Sequence, residues 1–228
     1  MLKKHYLNHL YPLQDKVLKS LSNFPSTFYL TGGTALSRYY LKHRYSDDLD
    51  FFFNQTKNFK SETESVIKEL KKSFEVDVRV AGESYVQLNV GLNQATLKVE
   101  FVNDVGYRYG EPIPTYLFLR TDHWRNILSN KITALAREAP KDVADIIFLS
   151  RNFEFNWIDI IQEAQQKDAW INELQVFKML DSYSIEKLSI VNWIQTQNYS
   201  ETENLLKSIA NDILLGADNS LAKVSSNN

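Results

Sequence analysis

One stretch constrains this chain more than any other: Leu30-Thr31-Gly32-Gly33-Thr34-Ala35-Leu36-Ser37-Arg38-Tyr39-Tyr40, then His43-Arg44-Tyr45-Ser46-Asp47-Asp48-Leu49-Asp50-Phe51-Phe52-Phe53. Phe28 to Leu30 is apolar and stops at a glycine pair, the pattern of a buried strand ending in a tight turn. The spacing then predicts a helix over 34–40 and a second strand over 48–53. Strand side chains alternate, so Leu49, Phe51 and Phe53 face a core while Asp48 and Asp50 share the other face.

This order of elements has a chemical reading. Without a Cβ, Gly32 and Gly33 let the backbone approach a ligand, and the helix starting at Thr34 points free N–H groups at it, which favours phosphate. Two close carboxylates repel and stay ionised with a cation between them. Hard oxygen donors on rigid backbone suit Mg2+ bound together with substrate phosphates. The turn and the strand are thus expected to meet over one nucleoside triphosphate. Taken singly, a glycine turn or a surface acid run is ordinary punctuation; their combination argues for a site.

Gly32, Gly33 and Thr34, followed by Arg44, Ser46, Asp48, Leu49, Asp50 and Phe51, resemble the first motif of the AbiEii/MenT-type nucleotidyltransferase toxins, within the polymerase-beta-like nucleotidyltransferase superfamily. A later pair of segments, Lys131-Ile132-Thr133-Ala134-Leu135-Ala136-Arg137 and Lys141-Asp142-Val143-Ala144-Asp145-Ile146, is similar to that family's Lys on one helix and Arg-Asp-x-x-Asp on the next. Lys141 stands where relatives commonly have Arg, which keeps the charge and loses the bidentate fork.

The resemblance implies an α+β protein: a nucleotidyltransferase core with a mixed sheet flanked by helices, followed by an all-helical C-terminal region. It implies transfer of an NMP from an NTP to an acceptor hydroxyl, with two Mg2+ ions held by Asp48, Asp50 and a third carboxylate. Glu100 on Leu97-Lys98-Val99-Glu100-Phe101 is the candidate, Asp77 the runner-up. The alternative for Glu100 is a sheet-surface acid paired with Lys98 or Arg79. Gly32, Gly33 and Thr34 would contact the triphosphate with Ser46, and Arg44 would hold phosphate or the acids. Lys131 would offset charge on the phosphates. Asp142 would orient Lys131 or position the acceptor, with Asp145 one turn on; a surface Lys–Asp hairpin is the bland alternative. By resemblance the acceptor is RNA, the 3′ end of tRNA, and the role that of a toxin restrained by an antitoxin protein. The rivals are a small-molecule nucleotidyltransferase and a non-catalytic nucleotide-binding module.

Composition bounds the partners. The net charge of −2 does not advertise nucleic-acid binding, so RNA contact requires a local patch. With 228 residues, 43% hydrophobic and no Cys, the chain reads as globular and cytoplasmic, without a signal peptide or an apolar run long enough for a bilayer.

Periodicity divides the chain into a core with an N-terminal helix over 1–120, a helical region over 121–216 and a flexible tail over 217–228. Leu7, Leu10, Leu13, Val17, Leu18 and Leu21 predict an amphipathic first helix that Pro12 could split. Ser61 with Glu64 reads as a capping box. Strands are expected over 76–80, 85–90 and 96–102. Ile190, Val191, Trp193 and Ile194 read as a helix, as do 171–180 and the run from Leu205 to Leu214.

Overall fold

The computed structural model describes residues 2–93 and 95–222. The chain divides into two compact units, Met1–His123 and Trp124–Asn228.

The first unit is built on a mixed five-stranded sheet of order β1-β2-β5-β4-β3, with β1 Tyr29–Thr31, β2 Asp48–Asn54, β3 Glu75–Ala81, β4 Tyr85–Leu92 and β5 Ala95–Asp104. The three segments read as strands beyond Phe74 thus pair, with β5 inserted between β2 and β4. It runs parallel to β2 and antiparallel to β4. Alternation decides the faces: Leu49, Phe51, Phe53, Leu97, Val99 and Phe101 are all buried on one side. Phe28 stands edge-on to Phe51, Phe53 and Phe101 at centroid distances of 5.1, 5.7 and 5.7 Å, an arrangement that suits the quadrupole of each ring. The helices Tyr11–Ser22 and Phe59–Leu70 cover this apolar region with Leu13, Val17, Leu18 and Leu21 and with Phe59, Val66 and Leu70. The opposite face of β2 and β5 keeps the charged residues.

β3 is the outer strand and is largely exposed. Its register shifts between Val78 and Val80, a break that bends an edge away from further pairing.

Two local expectations for this unit are corrected. The N-terminal segment stays helical past Pro12, because a wide turn over Tyr6–Leu10 absorbs the missing proline N–H, with Tyr11 N–H bonded back to Tyr6 O. That turn shifts the helical phase, so Tyr6 and Leu10 are buried while Leu7 is 49% exposed. The capping box does not form: the helix already starts at Phe59, with Asn58 before it, and Ser61 Oγ donates to Asn58 O at 2.9 Å. Phe59 is buried against Phe53, and that apolar anchor draws the helix start forward.

The second unit is helical, with Trp124–Thr133, Pro140–Asn152, Trp157–Gln165, Glu173–Asp181 and Tyr199–Leu215 as its α-helices. Asn156, Asn172 and Asn198 cap three of them by accepting from Ile158, Gln175 and Glu201 N–H. Trp157, Ile160, Val176, Leu206, Ile209 and Ile213 are buried. The helix expected over 190–194 is absent. A tight 3-10 turn spans Ile185–Ile190, Ile190 is 74% exposed, and Trp193 Nε1 donates to Leu188 O at 3.1 Å.

Of the tail expected over 217–228, the described residues 217–222 are tied to the second unit. Trp157 N–H donates to Ala217 O, Asn219 N–H to Phe155 O, and buried Asn219 sends its amide to Ser150 O and Phe153 O at 2.7 and 2.8 Å. These carbonyls at the end of Pro140–Asn152 need a partner. Residues 223–228 of the expected tail lie outside the described residues.

Candidate active site

The turn leaving β1 lies beside the acids because β1 pairs antiparallel with β2, setting Thr31 opposite Asp50. Gly32 has φ +66°, and a Cβ built on it would stand 2.5 Å from Asp50 Oδ2. Both facts require glycine here: the absence of a side chain is what lets the Asp50 carboxylate lie against the turn. At Gly33 a Cβ would meet Arg44 Nη2 at 2.6 Å and Ser46 Oγ at 3.0 Å.

Thr34, Arg44 and Ser46 are placed at the same turn, all buried. The helix expected from Thr34 begins at Gly32 and runs to Tyr40, with a wide turn over Ala35–Tyr40; Thr34 Oγ1 in its first turn donates to the Asp48 carbonyl, lies 3.0 Å from Ser46 Oγ and fastens the helix to β2. Arg44 Nη1 donates to Tyr45 O at 3.0 Å. The loop carrying Arg44 and Ser46 is held from the N-terminal helix. Gln14 Nε2 donates to Ser46 O at 3.0 Å, Tyr6 OH to Asp47 Oδ1 at 2.5 Å, and Tyr6 stacks on Tyr45 at 4.3 Å.

The parallel register of β2 and β5 sets Asp50 opposite Glu100 and Asp48 opposite Lys98. Three carboxylates and one ammonium therefore stand on one face of two adjoining strands. Lys98 Nζ lies 3.0 Å from Asp48 Oδ2 and 3.0 Å from Glu100 Oε2. Tyr85 on β4 donates its OH to Glu100 Oε1. Both sequence readings of Glu100 thus meet: it neighbours Asp50 and it pairs with Lys98. Asp77 does neither, lying on outer strand β3 in an exposed pair with Arg79 at 3.0 Å.

Burial alone would lower the Lys98 ammonium, but its hydrogen bonds and charge pairing with Asp48 and Glu100 outweigh this and hold it above the usual lysine value. Burial would raise Glu100; the Tyr85 hydroxyl and Lys98 bring it below the usual carboxylate value instead. Burial and the bond to Glu100 push Tyr85 up to about 12.

Within the second unit, Lys131 on Trp124–Thr133 meets the first turns of Pro140–Asn152. Its Nζ donates to Asp142 Oδ1 at 2.6 Å and lies 2.8 Å from Asp145 Oδ2. All three residues are buried, so this is no solvated surface hairpin. Lys141 is exposed. The helix bearing Lys131 is clasped by Lys167, whose Nζ approaches Asn126 Oδ1, Ser129 Oγ and Asn130 Oδ1 at 2.7, 2.7 and 2.5 Å.

Sequence reasoning missed Tyr85, Gln14 and Lys167, and gave Lys98 only as a partner for Glu100. The period-2 pattern of 97–101 does put Lys98 on the Glu100 face; the register with β2, which seats it at Asp48, carries no local signal. Among the described residues no three His, Cys, Asp or Glu side chains close around a metal position as they stand. Asp48, Asp50 and Glu100 are nevertheless hard oxygen donors on adjacent strands, and a cation already sits between two of them. In donor chemistry the set suits Mg2+.

A glycine turn and helix thus lie beside an acid-bearing strand, with a further carboxylate on its parallel neighbour. Residues 16–212 match the family described as the nucleotidyl transferase AbiEii toxin of a type IV toxin–antitoxin system, and the chain belongs to that family. Its fold is similar to that of JHP933 from Helicobacter pylori, at TM-score 0.60 and 21% identity over 93% of each chain. It is equally similar to an H. pylori protein described as a candidate nucleotidyltransferase, at TM-score 0.60 and 20% identity, covering 92% of this chain and 94% of the other. No curated protein matches. No helix among the described residues is long and apolar enough to cross a membrane.

Proposed function

We propose that this nucleotidyltransferase moves an NMP from an NTP to a hydroxyl of an RNA acceptor, the 3′ end of tRNA, in a Mg2+-dependent reaction. It acts in the cytoplasm as a toxin restrained by a separate antitoxin protein. The observation that carries the chemistry is the placement of Asp48, Asp50 and Glu100 on one face of two parallel strands, against the Gly32–Gly33 turn. The family match supports the toxin role.

The acceptor oxygen attacks the α-phosphorus, its proton leaves, and the bond to pyrophosphate breaks. When bound, Mg2+ supplies Lewis-acid stabilisation of the α-phosphate charge and activation of the acceptor hydroxyl. Asp48, Asp50 and Glu100 are the residues that would hold it. The glycine turn leaves room for phosphate oxygens beside Asp50, and buried Arg44 adds positive charge under the turn. Lys131, Asp142 and Asp145 form a buried ion cluster within the second unit, in which the single ammonium is shared by two carboxylates.

The test is incubation of the purified protein with each α-labelled NTP, Mg2+ and total tRNA, beside the Asp48→Ala/Asp50→Ala variant. Label entering tRNA only with intact acids is the expected result, and it also names the preferred nucleotide. Transfer by the variant would overturn the acid assignment. NTP binding by a folded wild type without transfer would overturn the RNA acceptor and favour a small-molecule one, which the net charge of −2 accommodates.

A further inference from the structure

The position between the acids is taken by a side chain of the protein itself. Lys98 Nζ is equidistant from Asp48 Oδ2 and Glu100 Oε2, at 3.0 Å from each. These oxygens belong to different strands, so the ammonium bridges β2 and β5 on the side where the acids gather. Both carboxylates are only 18% exposed, and without a cation they would face each other and Asp50 in a poorly solvated setting.

Among the described residues Lys98 and Lys131 each bridge two carboxylates, and they differ in one respect. The Lys131 side chain is 10% exposed and is walled in with its partners at 6% and 0%. The Lys98 side chain is 34% exposed, with a flexible four-carbon stem whose end can swing to water. Lys98 is therefore a cation that can leave. A divalent ion bonded at about 2.0–2.1 Å needs the same oxygens drawn closer than an ammonium allows, so the two cannot share the position.

We propose that Lys98 is a resident counter-ion of the catalytic carboxylates: its ammonium holds Asp48 and Glu100 in place in the metal-free protein and must be displaced when a divalent cation binds them. This rests on the metal-binding reading of the site given above. Lys98 is a positioning residue here, acting through the acids. Two opposite consequences follow from the single contact: removing the charge weakens the metal-free protein and strengthens its hold on metal.

The experiment uses the full chain and Mn2+ as the probe, followed by loss of the free-Mn2+ EPR signal and by thermal melts with and without Mn2+. Lys98→Met keeps the stem and removes the charge. It is expected to bind Mn2+ about tenfold more tightly than wild type, equivalent to about 1.4 kcal/mol. It should also melt lower than wild type without metal, with the gap closing as Mn2+ is added. Lys98→Arg, which keeps a cation, should show no tightening. Lys98→Gln serves in place of Lys98→Met if that variant fails to fold. A lysine needed only for packing would lower the melting temperature with and without Mn2+ and leave affinity equal or weaker, which overturns the proposal. Equal Mn2+ binding by all Lys98 forms, with binding lost in Asp48→Ala/Asp50→Ala, overturns the counter-ion alone. Absence of Mn2+ binding from every form overturns the metal reading as well.

Discussion

Replacing Gly32 with Ala tests the central packing relation of the site. The residue sits at φ +66°, and the new Cβ would be 2.5 Å from Asp50 Oδ2, about 0.9 Å inside the 3.4 Å at which ordinary contact begins. Left-handed backbone costs a non-glycine residue about 1–2 kcal/mol. In a chain of this size that lowers the melting temperature by about 2–8 °C. The clash itself adds less, because the obstructing atom ends a rotatable side chain. It falls instead on geometry: relief requires the Asp50 carboxylate to move by about an ångström, and a displacement of that size can lower a reaction rate by about 10²-fold. The expected outcome of Gly32→Ala is thus a folded protein with a modest loss of melting temperature and a loss of label transfer out of proportion to it. The assay pairs thermal melts with transfer from α-labelled NTP. Near-wild-type transfer in a variant that shows the expected drop in melting temperature would refute the close approach of Asp50 to the turn.

Other perturbations separate the remaining elements. Lys131→Ala removes the cation shared by buried Asp142 and Asp145 and should cost about 3–5 kcal/mol; an unchanged thermal melt would contradict the pairing. Asn219→Ala leaves the Ser150 and Phe153 carbonyls without their amide donor and should cost about 1–3 kcal/mol, as should truncation after Gly216, read by the same melts. Burial raises Glu163 above the usual carboxylate value although its bond to Arg125 works the other way. The folded chain then binds more protons at Glu163 than the unfolded chain does, so this group's contribution to stability falls as pH rises from 4.5 through the raised value. Glu163→Gln removes that slope; a melting-temperature difference between wild type and variant that stays constant across this range would refute it.

The strand, glycine turn, helix and acid-bearing strand were readable in residues 28–53, because each depends on local rules. Glycine permits the turn, period 2 sorts Leu49, Phe51 and Phe53 from Asp48 and Asp50, and apolar spacing marks the helices. The same rules failed where a distant contact outweighed them. The Phe59 ring against Phe53 moved a helix start that Ser61 and Glu64 locally favoured. The wide turn before Pro12 exchanged Leu7 for Tyr6 in the core. Asn219 tied down a segment whose polar composition suggested a tail.

The sequence by itself marked the candidates for the site's chemistry: Gly32, Gly33, Asp48 and Asp50 by local pattern, and Glu100 by the family resemblance. Only the tertiary structure decided how they are grouped. Glu100 rather than Asp77 joins Asp50 because β5, not β3, is the neighbour of β2. Strand order arises from long-range pairing and leaves no mark on local periodicity. The same register seats Lys98 between Asp48 and Glu100, where attraction between charges on strands far apart in sequence becomes a contact of 3.0 Å.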